Sequence, residues 1–210
     1  ARKGLFRIRQ EDEDCHTAIE NRLVERLGEI GKKIHTGRSR NDQVLTALRI
    51  YGREQLLDIF EKTLALTCTL LNSAKIYQNV PMPGRTHTQL AMPSSLGLWF
   101  SAFGEELLDA LELLQRIYEL WNRCPLGSAA SYGTPLPLDG EYTSELLGFS
   151  SVQNNVLAAN NSRGKLEAMI LEGLDQIGIT LSKLSTDLIL FSLPEIGYFS
   201  LPREFCTGSS

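Results

Sequence analysis

No proline precedes Pro81 in this 210-residue chain. The eight that follow fall in clusters, at Pro81/Pro83/Pro93, Pro125, Pro135/Pro137 and Pro194/Pro202. Proline in a helix interior removes an N–H donor and clashes with the preceding turn, so the gaps between clusters are where long helices can lie. Histidine is scarce, and the three present form no local metal motif, so no metal is expected. The four cysteines, Cys15, Cys68, Cys124 and Cys206, stand far apart without a CxxC pair. That excludes the usual zinc spacing and a disulfide framework, and reads as reduced thiols and a cytoplasmic location. No stretch approaches the ~20 apolar residues a membrane span needs. The opening ARKGLFRIRQ lacks the apolar core of a signal peptide and, without an initial Met, reads as an internal start. Basic residues are not in excess: 21 Lys and Arg against 25 Asp and Glu give a net charge of −4, leaving nothing to suggest a nucleic-acid partner. The longest run of like charge, EDED at 11–14, reads as a solvated turn before a helix or as the flank of a site.

What is present is helical periodicity. With 42% hydrophobic and 22% charged residues, the composition is that of an ordinary globular protein, long enough for one domain with a substantial core. Residues 15–30 place Ile19, Leu23, Leu27 and Ile30 on one face. Residues 41–78 carry Val44, Leu48, Tyr51, Leu56, Ile59, Phe60, Leu64 and Leu71, interrupted only by Gly52. Residues 94–123, with Ser94 as N-cap, and residues 151–192 continue the pattern, the last weakened by Gly164, Gly173 and Gly178. No run of alternating strand residues stands out. The expected fold is all-α, a bundle of long antiparallel helices. Leu107/Leu108, Leu113/Leu114 and the run Leu188 to Phe191 make several helices apolar on more than one face. Such helices must be buried on both sides, which implies a homo-oligomeric bundle.

Four polar or Gly-rich connections lie between the helices, at 35–41, 81–89, 125–142 and 198–210. Function tends to sit on loops held by rigid elements. Thr36-Gly37-Arg38-Ser39-Arg40-Asn41-Asp42 offers two guanidinium forks, a hydroxyl and an amide at a helix start, a setting for a carboxylate-bearing ligand or simply a helix cap with surface arginines. Thr86-His87-Thr88-Gln89 sits in a short loop bounded by Pro and Gly, where His87 has the pKa range of a general acid or base. Gly127-Ser128-Ala129-Ala130 and Gly133-Thr134 allow close backbone approach to a ligand, or form a flexible connection. Gly208-Ser209-Ser210 carries no signal of its own.

Together these segments resemble the argininosuccinate lyase family of the fumarase/aspartase superfamily. KKIHTGRSRNDQV (32–44) is similar to that family's first signature almost letter for letter. PGRTHTQ (83–89) resembles the second, with Arg85 where the family usually has an aromatic residue. PLGSAASYGTPLPLD (125–139) and EYTSELLGF (141–149) resemble the linker between central helices, EDEDCHTAIENRL (11–23) matches the family pattern, and CTGSS (206–210) looks like the start of the third signature.

The resemblance implies β-elimination of argininosuccinate to arginine and fumarate, without metal or organic cofactor. A base removes a proton beside a carboxylate, and the resulting aci-carboxylate carbanion needs electrostatic stabilisation. An acid then protonates the departing guanidino nitrogen. By position, Ser209 matches the loop serine regarded as the base, and His87 the signature histidine, an acid, base or relay. Thr86 matches a substrate-carboxylate contact. Ser39, Arg40 and Asn41 match first-signature substrate contacts, and Gln89 and His16 match further residues near the site. The resemblance also implies a homotetramer whose active sites combine signatures from three subunits. Residues 1–210 would then be the central helical domain, with the family's N-terminal segment and C-terminal domain largely outside it, and would be inactive alone. Two further departures stand out: AANNSRGK at 158–165 replaces a family pattern like DAVSDRDF, and Gly140 replaces an arginine. The rival readings are a non-catalytic, crystallin-like protein on the same fold, and a lyase for another succinyl substrate.

Overall fold

Ser39 and Asp42 start the longest helix with a variant of the capping box. The Asn41 backbone N–H donates to Ser39 Oγ at 3.3 Å, and the Ser39 N–H donates to Asp42 Oδ1 at 2.8 Å. In the computed structural model, which describes residues 6–206 and Gly208, this helix α2 (Arg40–Ile76) is joined by α1 (Cys15–Leu27), α3 (Leu96–Trp121), α4 (Gly140–Leu146), α5 (Val156–Asn161) and α6 (Lys165–Phe191). The expected all-α class holds for most of the chain. The helix expected over 15–30 stops at Leu27 and gives way to a 3-10 helix over Gly28–His35. The helix expected over 151–192 is three elements. A short strand β4 (Ser151–Val152) comes first, then α5 capped by the Asn155 side chain, then α6 after Gly164. Gly164 lies at φ +80°, a conformation other residues rarely adopt, and that breaks the run.

The correction to the strand-free expectation is a hairpin at 81–95. Strand β1 (Pro81–Thr86) pairs antiparallel with β2 (Gln89–Ser95). Thr86 faces Gln89, so His87 and Thr88 form a two-residue turn, with φ of 52° and 62°. Positive φ at both central residues is the geometry that matches the twist of a hairpin. The cap of α3 falls on Ser95, the last residue of β2, whose Oγ accepts from the Leu98 N–H at 3.1 Å, and not on Ser94.

The chain divides into two units, one made of Ala1–Arg53 and Glu119–Leu166, the other of Glu54–Tyr118 and Glu167–Ser210. In the first, Arg49 is 1% exposed and donates to the Arg123 carbonyl and, at 2.8 Å, to Ser162 Oγ. Its own carbonyl accepts from Trp121 Nε1 at 2.8 Å. The indole of Trp121 lies against Gly52, where a Cβ would stand 2.7 Å from the ring. Strand β3 (Arg123–Cys124) pairs in parallel with β4. Asp42, fully enclosed, receives the Ser39 N–H and, on Oδ2, the N–H groups of Gly127 at 3.0 Å and Ala129 at 2.9 Å. In the second unit, α3 presents buried Phe103, Leu107, Ala110, Leu114 and Ile117 at helical spacing, and α6 contributes Ile177, Thr180 and Phe191. Trp99 donates to Asp187 at 2.9 Å and sits within 5.3 Å of the Phe103 ring and 5.2 Å of the Phe199 ring.

Two stability predictions follow from these contacts. Gly52→Ala should lower the unfolding free energy by about 1–2 kcal/mol, because overpacking against a fixed indole outweighs the ~1 kcal/mol gain in helix propensity. Unchanged stability in a urea titration would show that the indole yields. Asp42→Ala should cost about 3 kcal/mol, since it removes three hydrogen bonds to a buried carboxylate and leaves part-buried backbone donors unmatched. The same titration measures it, and a loss below about 1 kcal/mol would mean the 125–138 loop is held by other contacts.

Candidate active site

The candidate residues fall into two groups, one in each unit. In the first unit, the α2 N-terminus carries Ser39, Arg40 and Asn41. The capping box explains why they sit on the first turn. Ser39 is half-buried, and Arg40 and Asn41 are exposed. Arg40 is already oriented by acidic partners. Its Nη1 and Nη2 lie 2.9 Å from the Glu13 carboxylate, its Nε is 3.3 Å from Asp14, and Nη2 donates to Thr17 Oγ1 at 3.1 Å. The Glu13 carboxyl is held below its ordinary range by the Arg40 hydrogen bond and charge. Asp14 is lowered chiefly by the Thr17 backbone N–H that it caps, and Arg40 is raised chiefly by its bond to Glu13. The acidic run at 11–14 therefore flanks the first signature and fixes its arginine.

His16, half-buried on α1, lines a cavity of about 260 Å³ with Glu20, His35, Arg38 and Gln43 among its walls. His35 Nδ1 lies 3.5 Å from Gln43 Nε2 and 3.9 Å from Glu20 Oε2. Arg38 Nη1 and Gln43 Oε1 are shut from solvent without a hydrogen-bond partner. Sequence reasoning did not single out Arg38, Asp42 or Gln43 individually, although all three lie in the motif it quoted. The signal for Asp42 was its place three residues after Ser39, the spacing of a capping box.

The loop that follows, 125–138, is held in an unusual conformation. Gly127, Ala129, Ser131 and Gly133 all have positive φ. Asp42 fixes its backbone, and Asn160 Nδ2 donates to Ser128 Oγ at 3.0 Å. Two of the residues that set 158–165 apart from the family pattern, Asn160 and Ser162, thus serve this unit's interior, one holding the loop and the other accepting from Arg49.

In the second unit, Thr86, His87 and Gln89 are exposed around the hairpin turn. The turn points a histidine outward on a two-residue loop, with a hydroxyl before it and an amide opposite that hydroxyl-bearing residue. The imidazole is thus accessible from solvent. Ser209 lies outside the described residues. Among the described residues no group of three or more His, Cys, Asp or Glu is placed to hold a metal ion, and no helix is long and apolar enough to cross a membrane. Cys124 is buried, and burial pushes its thiol up, which leaves it a poor nucleophile.

The family model described as "Lyase" matches residues 2–210. Argininosuccinate lyase of Thermotoga neapolitana is 49% identical over 208 residues, 99% of this chain and 52% of that protein. Argininosuccinate lyase of Parabacteroides distasonis is 46% identical over 210 residues, 100% of this chain and 47% of that protein. The chain spans about half the length of the curated relatives it matches. A solved structure of EDDS lyase in complex with formate superposes with a TM-score of 0.87 at 30% identity, covering 92% of this chain and 39% of the other. Sequence likeness over the whole chain and a shared helical fold lead to one assignment: the chain belongs to the lyase family of the fumarase/aspartase superfamily.

Proposed function

We propose that the protein is an argininosuccinate lyase, cleaving argininosuccinate to arginine and fumarate in arginine biosynthesis in the cytoplasm. The observation that carries this reading is the 46–49% identity to argininosuccinate lyases along essentially the entire chain. In this reading a base takes the proton from the succinyl carbon beside a carboxylate, the adjacent C–N bond breaks, and an acid returns a proton to the guanidino nitrogen. His87 and Ser209 share these two proton transfers. The exposed imidazole on the hairpin turn supports the part given to His87. Thr86 and Gln89 flank it as substrate contacts. Ser39, Arg40 and Asn41 bind the substrate from the α2 N-terminus, where helix amides favour carboxylates. His16 contributes from the cavity beside Arg38.

The same reading makes the protein a homotetramer with active sites completed by neighbouring subunits. Apolar side chains left exposed on the long helices support it, among them Leu57 and Leu64 on α2, Leu108 and Leu113 on α3, and Leu171 and Ile189 on α6.

The test is fumarate release from argininosuccinate by the intact protein, followed by ultraviolet absorbance. Release is expected, and His87→Asn should reduce kcat by about 10²–10⁴-fold, the usual worth of general acid–base catalysis. A well-folded protein that releases no fumarate would point to a structural role or another succinyl substrate. Analytical ultracentrifugation should show four subunits, and a stable monomer would overturn the shared-site arrangement.

A further inference from the structure

Thr88 is a β-branched residue at φ 62°, a conformation such side chains rarely tolerate without support. The support does not come from packing beneath the turn. Of the hairpin, only Met82 is buried, and a cavity of about 330 Å³ lies under it, lined by Gly84, Arg85, Thr88, Trp99 and Asp187 among others. What reaches the turn is Arg85. Its Nη1 donates to the Thr88 carbonyl at 2.7 Å, and its Nε donates to Tyr198 Oη at 3.1 Å. The guanidinium carbon lies 5.5 Å from the centre of the Tyr198 ring. Tyr198 Oη in turn donates to the Pro83 carbonyl on the same strand at 3.3 Å. The Thr88 hydroxyl donates to the His87 carbonyl at 2.6 Å, so the two turn residues are tied to each other as well.

We propose that Arg85, braced by Tyr198, is a positioning residue that clamps the Thr88 carbonyl and so fixes the direction in which His87 is presented. The proposal rests on the lyase reading for its effect on catalysis, and on geometry alone for the clamp. The planar fork is what makes it work. One nitrogen meets the turn while another meets the tyrosine, a division that a lysine ammonium cannot reproduce at the same distances. Arg85 occupies the position where the family usually has an aromatic residue, so this chain holds the turn by hydrogen bonds to a fixed tyrosine.

Two measurements test it. The first is NMR of the intact protein, comparing wild type with Arg85→Met and Tyr198→Phe through the Cα and Cβ shifts of His87 and Thr88. Wild type should show shifts of positive-φ residues, and Arg85→Met should move them toward averaged values. Unmoved shifts would overturn the clamp. The second is steady-state kinetics of the intact protein with argininosuccinate. Arg85→Met should lose about tenfold or more in kcat with KM within about twofold, since a small misplacement of a reacting group is costly to the chemical step. Arg85→Lys should not restore it. Tyr198→Phe should lose part of the rate, and the double variant should lose no more than Arg85→Met, the non-additivity of residues that act together. A variant whose melting temperature falls while kcat per folded site is kept would make the contact merely structural, and the proposal would fail. Should wild type release no fumarate, the lyase reading fails, and the NMR comparison alone upholds or overturns the clamp.

Discussion

A carboxylate removed from water must be matched by donors or it destabilises the structure around it. Asp42 meets that requirement with backbone N–H groups from two places far apart in sequence, Ser39 on one oxygen and Gly127 and Ala129 on the other. Much in the first unit depends on this. The bond to Ser39 closes the capping box and sets where α2 begins, hence the turn on which Ser39, Arg40 and Asn41 stand. The bonds to Gly127 and Ala129 pull in a loop with four residues at positive φ, a conformation with little to recommend it locally. Asn160 completes the hold through Ser128. The charge of one side chain thus connects a helix start, a small-residue loop and the α5 helix.

The long helices were legible in the sequence because apolar residues recur at helical spacing and proline stays out of the intervals. Residues 41–78 and 94–123 agree with α2 and α3 to within a few positions. The hairpin was not legible. PMPGRT and QLAMPSS contain no alternation, since both faces of the ribbon are mostly exposed and no buried face imposes a period of two. Its turn, Thr86-His87-Thr88-Gln89, also lacks the Asn-Gly type of signal, because its positive φ values are supported by a distant tyrosine through Arg85 rather than by permissive residues. The break at Gly164 was visible as a weak point in 151–192, but its depth depended on a left-handed conformation that composition does not disclose.

The candidate site was legible chiefly through resemblance. Composition alone left the first signature balanced between a ligand site and a helix cap, and the structure shows that the cap is real and that the arginine beside it is already engaged by Glu13 and Asp14. These facts are compatible, because a residue held in place before a ligand arrives has less freedom to lose. What no local pattern announces is the cavity beside His16, since its walls combine residues of α1, the 3-10 segment, α2 and the 125–138 loop.

A ribbon of two strands has two open edges, each able to recruit a strand from another molecule. Here β1 carries Pro81 and Pro83, and β2 carries Pro93, which stands opposite Pro83. Each removes a donor from the backbone, and a strand so interrupted is a poor template for a newcomer. The residues that hid the hairpin from a search for regular alternation therefore also guard it. A segment that must display a histidine to its surroundings, with Leu90 and Met92 exposed beside it, is protected from aggregation by its own irregular chemistry.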